Sequence, residues 1–160
     1  MGLAAALVLA SRGARDIVVA DTNPLRRETV AAAGRFEVAD PTVADALEAN
    51  AFGIVVDAVG NRATRATASA AVTPGGVIVH IGLADNDGGL DVRKLTLQEV
   101  TFIGTYTYTM VDFRATVRAM MDGSLGDLDW IDRRGLDQGP AAFDDLEHGR
   151  IAASKVVLMP

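Results

Sequence analysis

The stretch GLAAALVLA at residues 2–10 decides the fold of this chain together with the stretch IVVAD at residues 17–21. The first reads as a helix that opens on a glycine, and the second as a buried strand that ends at an acidic side chain. A helix-opening glycine followed about 20 residues later by a strand-ending Asp is the spacing of a dinucleotide-binding unit. The strand and the two earlier glycines of the G-x-G-x-x-G fingerprint do not precede Gly2. We therefore interpret the chain as most of a nicotinamide-binding domain that begins inside its own fingerprint.

The composition restricts the class of protein and its partners. A chain of 160 residues with 49% hydrophobic residues predicts one domain with a substantial core. The formal net charge of −6 disfavours nucleic acid as a partner, because phosphate backbones repel an acidic surface. The absence of cysteine removes disulfides and thiolate metal sites. No basic residue precedes the apolar run at 2–10 and no apolar stretch reaches about 20 residues, so we expect no export, no membrane association and a cytoplasmic location.

The order of the predicted elements indicates the architecture. Apolar runs without polar alternation at residues 53–60, 77–82 and 100–105 predict strands that helices cover on both faces. The patterns also predict shorter strands at 15–20, 36–40 and 155–159, and helices at 2–12, 24–33, 42–49, 61–72, 110–122 and 140–148. We expect an α/β fold, a doubly wound, Rossmann-like parallel sheet that lacks its first strand, with a short C-terminal appendage.

A change in composition marks a boundary near residue 124. Beyond Gly123, acidic residues and arginines surround Trp130, the only tryptophan of the chain. We interpret residues 1–124 as a truncated NAD-binding domain. Residues 125–160 form a separate C-terminal segment in this interpretation.

The missing strand creates a folding problem. In the strand order 3-2-1-4-5-6 it lies at the centre of the sheet, between the strands predicted at 15–20 and 53–60. Unpaired backbone groups at such a gap cost about 1–3 kcal/mol each when they are buried. We expect the gap to close by re-pairing, or to be filled by another segment or by a second chain.

An adenosine-binding group is predicted around the first helix and the second strand. Asp21 could accept both hydroxyl hydrogens of an adenosine ribose and would repel a 2′-phosphate, which favours NAD over NADP. The alternative is that Asp21 caps the helix that begins at Pro24. Gly2 leaves the helix amino terminus open to a pyrophosphate, or is simply the residue after an initiator methionine. Arg26 lies close enough in sequence to contact the ribose or adenine, and together with Arg27 it keeps NADP open.

A second candidate group follows the central strands. Gly60 and Gly82 end two apolar strands, and ligands of doubly wound sheets bind beyond the carboxyl ends of strands; the alternative is two ordinary turn glycines. Asp57 is either a buried, hydrogen-bonded carboxylate or a polar group near the ligand, and we favour a structural role. His80 reads as a core or near-site histidine rather than a metal ligand. The sequence therefore predicts no catalytic residue and no metal ligand.

The chain resembles the carboxyl-terminal half of the medium-chain, zinc-type alcohol and polyol dehydrogenases. Seven stretches carry the resemblance in order and spacing: residues 2–6, 17–21, 55–60, 75–82, 100–106, 142–146 and 155–160. The resemblance implies a two-domain oxidoreductase that oxidises an alcohol with NAD. It also implies that the zinc and its ligands belong to a catalytic domain that this sequence does not contain, so we expect the chain alone to be inactive.

The resemblance also implies roles for individual residues. Gly2 would be the last fingerprint glycine, Asp21 the ribose acid, and Arg26 a basic residue near the adenosine. The nicotinamide side would be lined by Ala58, Val59, Gly60, Ile81, Gly82 and Leu83. Thr105 and Thr107 would reach the carboxamide, and Lys155 would approach the pyrophosphate. Because two fingerprint glycines are missing, we expect weak binding of NAD(H).

Two other functions stay open at this point. The chain could be a non-catalytic module that oligomerises by strand pairing, because the family resemblance implies a homo-oligomer through the edge strand at about 100–106. It could also be a methyltransferase-like domain that binds S-adenosylmethionine, since such domains place an acidic residue at the same position. The methyltransferase alternative predicts an antiparallel last strand.

Overall fold

The computed structural model describes residues 1–34, 36–153 and 155–160. Two compact units are distinguished, and each is described by itself: the first comprises Met1, Leu3–Ala46 and Met110–Pro160, and the second comprises Gly2 and Leu47–Thr109. In chain order the elements are α1 (Gly2–Ser11), β1 (Val18–Ala20), α2 (Pro24–Ala33), β2 (Glu37–Ala39), β3 (Phe52–Asp57), α3 (Arg62–Ala71), β4 (Val72–His80), α4 (Val92–Leu97), β5 (Thr101–Gly104), α5 (Met110–Met121), β6 (Ile131–Gly135), a 3-10 turn (Leu136–Gln138), α6 (Gly139–Glu147) and β7 (Lys155–Met159).

The first unit is built around the first predicted helix and strand. Strand β1 pairs with β2 in parallel, with Val18 opposite Glu37. Leu3 and Leu7 of α1 form a buried cluster with Val30 of α2, against which Trp130 also packs. Helix α1 is apolar over most of its length because it supplies this core.

The C-terminal part of the first unit contains a strand that the sequence does not predict. Strand β6, with the sequence IDRRG, pairs in parallel with β7. Arg134 of β6 forms ion pairs with Asp132 and Asp145, each with an N–O distance of 2.8 Å. The sequence of β6 has no apolar alternation, so the strand is recognised only from its backbone pairing with β7.

The second unit is a three-stranded parallel sheet with the order β3-β4-β5. Ala68 of α3 packs with Val72 and Ile78 of β4 in the buried core. Asn61 caps α3, since its side chain accepts a hydrogen bond from the backbone of Thr64 while the Thr64 hydroxyl accepts one from the backbone of Asn61. The strands predicted by the apolar runs are thus observed as a parallel sheet.

One local prediction is wrong, and one helix was missed. The helix predicted at 42–49 is a series of turns, because the Asp40 carboxylate accepts hydrogen bonds from both the backbone and the hydroxyl of Thr42 and Asp45 adopts a φ of +60°. Helix α4 was not predicted. It begins where the side chain of Asp91 accepts a hydrogen bond from the backbone of Lys94, at 2.9 Å.

Strands β1 and β3 each have a single partner. Among residues 1–34, 36–153 and 155–160, β1 pairs only with β2 and β3 pairs only with β4, so a re-pairing of β1 with β3 is not observed. All the strand pairs are parallel, which does not fit the antiparallel last strand of the methyltransferase alternative. The predicted α/β class with parallel, doubly wound strands is confirmed. No helix in the described part of the chain is long and apolar enough to cross a membrane.

Candidate nucleotide-binding site

The carboxyl ends of three strands lie level in the second unit. Asp57 of β3 is opposite His80 of β4, and His80 is opposite Gly104 of β5. The segments that follow these ends therefore meet at one edge of the sheet, which is where ligands of parallel α/β sheets bind. This edge brings together all the residues predicted to contact the nicotinamide and its carboxamide: Ala58, Val59, Gly60, Ile81, Gly82, Leu83, Thr105 and Thr107.

The loops after β3 and β4 are packed backbone against backbone at Gly60 and Gly82. A Cβ atom on Gly82 would lie 2.1 Å from the carbonyl carbon of Val59, and Gly60 has a φ of +73° that side-chain-bearing residues rarely adopt. The amide of Ala84 donates to the carbonyl of Val59, at 3.1 Å. The side chains of Val59 and Leu83 are 50% and 76% exposed, so this glycine pair presents two apolar side chains at the strand ends.

Asp57 is a buried, hydrogen-bonded carboxylate, as favoured from the sequence. Its Oδ1 accepts hydrogen bonds from the backbone N–H groups of Val59, at 3.1 Å, and Gly60, at 2.8 Å. Its Oδ2 accepts the hydroxyl hydrogen of Thr64, at 3.1 Å, and lies 3.5 Å from Nε2 of His80. Asp57 thus fixes the loop that carries Gly60 rather than facing a ligand itself.

The segment after β5 supplies a third side of the same edge. The amide of Thr105 donates to the carbonyl of His80, at 2.9 Å, so this segment continues the parallel ladder beyond the strand. Thr107 has a φ of +58°. Both threonines are exposed, and their hydroxyl groups are available to a polar ligand group.

The predicted adenosine-side residues Asp21, Arg26 and Lys155 belong to the first unit. Burial lowers the pKa of the Met1 amino group, the positive charges of Lys155 and Arg26 lower it further, and the negative charge of Asp21 opposes them. The roles of these three side chains toward a ligand stay predictions.

Asp21 is not the residue that caps α2. Asn23 caps α2, because its Oδ1 accepts a hydrogen bond from the backbone of Leu25, at 2.9 Å. Asp21 instead accepts one from the backbone of Asn23 through Oδ1, at 2.8 Å. This leaves the second carboxylate oxygen of Asp21 as a candidate acceptor for ribose hydroxyl groups.

The two arginines next to this group differ in their partners. Arg27 donates to the carbonyl of Asp21, at 2.8 Å, and pairs with the carboxylate of Asp40, at 3.0 Å, so its guanidinium is engaged within the protein. The Nε of Arg26 is buried without a hydrogen-bond partner in the described part of the chain. The predicted contact of Arg26 with the cofactor stays a prediction.

Gly2 groups with the second unit. A Cβ atom on Gly2 would lie 3.8 Å from the Cβ of Ala58, which is an ordinary contact distance. Space alone therefore does not require glycine at this position. Its predicted role at the helix amino terminus stays a prediction.

Sequence reasoning missed one buried charge at the edge of the second unit. Arg65 of α3 is only 7% exposed and donates to backbone carbonyls of two loops. The spacing of Arg65 from Ala68 and Ser69, three and four residues later, places it on the buried face of α3 and could have indicated this burial.

The donor set of the chain does not fit the zinc site of the resembling enzymes. The sequence contains no cysteine, and the described residues form no group of three or more His, Cys, Asp or Glu side chains that could hold a metal ion. We therefore derive no chemical step through zinc from this chain.

A parallel α/β fold with close glycine loops at its strand ends is typical of dinucleotide-binding domains. Comparison with known sequences agrees: residues 1–123 match the family described as zinc-binding dehydrogenase, and the chain belongs to this family. L-galactonate-5-dehydrogenase of Escherichia coli is 32% identical over 132 residues, which cover 78% of this chain and 38% of that protein. L-threonine 3-dehydrogenase of Streptomyces avermitilis is 29% identical over 166 aligned positions. The alignment covers 99% of this chain and 48% of that protein.

A solved structure supports the fold. Acetophenone reductase from Geotrichum candidum, determined in complex with NAD, superposes with a TM-score of 0.84 at 18% identity, over 97% of this chain and 45% of that one. The chain thus spans about half the length or less of the proteins it matches. The predicted resemblance to the nucleotide-binding half of the zinc-type dehydrogenases is confirmed.

Proposed function

We propose that this chain binds NAD(H) and is the nucleotide-binding part of an NAD-dependent alcohol or polyol dehydrogenase. The observation that carries the proposal is the edge of the second unit, where the carboxyl ends of β3, β4 and β5 lie level and the loops at Gly60 and Gly82 pack backbone against backbone. In the first unit, Asp21 would bind the ribose, Arg26 would lie near the adenosine, and Lys155 would approach the pyrophosphate. The acetophenone reductase to which the fold is similar was determined with NAD, which supports the same cofactor here.

Each predicted residue has a part in holding the cofactor. Asp21 accepts hydrogen bonds from the ribose hydroxyl groups and disfavours NADP through charge repulsion with a 2′-phosphate. Val59 and Leu83 present apolar surface to the nicotinamide ring, and Gly60 and Gly82 keep that surface close to the backbone. Bound NAD supplies a hydride acceptor.

Fluorescence titration with NADH and NADPH tests the proposal. We expect binding of NADH and at least tenfold weaker binding of NADPH. The variant Asp21→Ser should reduce the difference between the two cofactors, whereas Asp129→Ser, at an exposed position of the same unit, should leave it unchanged. A chain that binds S-adenosylmethionine but not NADH in parallel titrations would contradict the proposal.

A second candidate function is homo-oligomerisation through β5. All four residues of β5 are exposed, including Phe102 and Ile103, and within the described ranges this strand pairs only with β4. An open apolar edge strand is a template for pairing with a second copy. Light scattering tests this assembly: the dimer expected for the wild type should dissociate in Ile103→Lys, and a concentration-independent monomer would contradict it. A cytoplasmic location stays a prediction from the sequence.

A further inference from the structure

The guanidinium of Arg65 is the centre of a hydrogen-bond network in the second unit that the cofactor roles above do not use. The whole residue is 7% exposed, although it is charged. A buried arginine is costly unless its N–H groups find acceptors. Arg65 has such acceptors on all three of its nitrogens.

The acceptors of Arg65 belong to the two loops at the strand ends. Its Nη1 donates to the carbonyl of Gly60, at 2.8 Å, and to the carbonyl of Asp85, at 3.1 Å. Its Nη2 donates to Oδ1 of Asp85, at 2.5 Å, and its Nε donates to the carbonyl of Gly88. One planar side chain therefore connects the loop after β3 with the loop after β4.

The hydroxyl of Ser69, also on α3, makes a further contact with the segment after β4. The amide of Asp91 donates to the hydroxyl of Ser69, at 3.1 Å, and this hydroxyl donates to the carbonyl of Arg65, at 2.9 Å. The hydrogen bond from Arg65 lowers the pKa of Asp85, with smaller contributions from the amides of Asp87 and Arg62. Asp85 is thus held as a carboxylate, and the Arg65 contact is charge-assisted.

We propose that Arg65 is a positioning residue that holds the Gly60 loop against the loop after β4, and thereby supports the fit of the nicotinamide ring at Val59 and Leu83. The inference rests on the proposed binding of NAD(H). Arg65 does not contact the cofactor in this proposal. It acts through the carbonyl of Gly60 and through Asp85.

Lysine cannot replace Arg65 in this role. The guanidinium reaches three backbone carbonyls and a carboxylate from one rigid plane, whereas an ammonium is a single point donor. In Arg65→Lys the positive charge remains, but the two loops lose the guanidinium contacts and keep only their direct backbone hydrogen bonds, from the amides of Ala84 and Asp85. The variant should therefore lose affinity for the nicotinamide part of the cofactor and keep affinity for the adenosine diphosphate part.

The test is the ratio of the dissociation constants for ADP-ribose and NADH, measured by calorimetry on the full chain. We expect the wild type to bind NADH more tightly, and Arg65→Lys to reduce this ratio roughly tenfold by weakening NADH alone. Arg93→Lys, the same change at an exposed position of α4, should leave the ratio unchanged. Asp85→Ala, which removes one acceptor of Arg65, should reduce the ratio in the same direction and is informative if Arg65→Lys does not fold.

The other outcomes of this experiment would overturn either the positioning role of Arg65 or the proposed binding of NAD(H). Equal loss of both ligands in Arg65→Lys and in Asp85→Ala would show a general structural role and overturn the inference. An unchanged ratio, or a wild type that binds ADP-ribose as tightly as NADH, would overturn it while leaving adenosine-side binding intact. A wild type that binds neither ligand would overturn the proposed function itself, and the positioning role with it.

Discussion

A Cβ atom on Gly60 would lie 2.1 Å from the carbonyl oxygen of Gly82, so the two loops are as close as their backbones permit. In Gly60→Ala the side chain would meet backbone rather than a flexible side chain, and the φ of +73° adds strain. We expect a loss of about 3 kcal/mol in the free energy of unfolding, measured by urea denaturation.

Gly104 provides the matched control for this substitution. It ends β5, at the same level of the sheet, and a Cβ atom there would meet nothing within 4 Å. Gly104→Ala should change the free energy of unfolding by about 0.5 kcal/mol or less. Similar losses in the two variants would contradict the close approach of the loops.

Asp57 is expected to be a stability residue. Asp57→Ala leaves the amides of Val59 and Gly60 without their carboxylate acceptor, at a cost of about 2–4 kcal/mol in the free energy of unfolding. Asp57→Asn should lose less, because the amide oxygen can still accept from Gly60. As a control, Asp91→Ala removes an exposed cap of α4 and should cost about 1 kcal/mol in the same urea experiment. An effect of Asp57→Ala no larger than that of the control would be inconsistent with this role.

The sequence predicted the strand-end edge because the signals there are local. Continuous apolar runs predicted β3, β4 and β5, and the glycines at 60 and 82 marked where the first two end. The level carboxyl ends then followed from the parallel topology. The predicted strand at 155–159 is also observed, as β7.

The missed features depend on contacts between residues distant in sequence. Strand β6 forms because it pairs with β7, and its sequence IDRRG carries no apolar period. Asp145 of α6 pairs with Arg134 of β6, eleven residues earlier in the chain. The contacts of buried Arg65 depend on acceptors in the loops after β3 and β4.

The ion pairs of Asp145 should make the stability of the chain sensitive to acid. Hydrogen bonds from Arg134 and then from Arg150 lower the pKa of Asp145 below its usual value. Because the folded state binds this proton less readily than the unfolded state, the contribution is complete above about pH 4 and is lost as the pH falls through the lowered pKa.

The variant Asp145→Asn should therefore have a lower urea midpoint than the wild type near pH 7, and the two midpoints should converge below about pH 4. Asp129→Asn removes one charge at an exposed position of the same unit and is the control for net charge. If the urea midpoints of the wild type and Asp145→Asn differ by the same amount down to about pH 2, the ion pairs are not the cause of that difference.

The open edge of β3 should be visible in amide hydrogen exchange. Strand β4 pairs on both sides, so the amides of Val77–His80 should be the slowest to exchange in the second unit. Strand β3 pairs only with β4 among the residues described, and in a parallel pair alternate amides point away from the partner strand. Within Phe52–Asp57 we therefore expect alternating slow and fast exchange, with the fast amides near the rate of an unfolded chain. Uniform protection of β3 that increases with protein concentration would instead show that a strand of a second copy pairs with this edge.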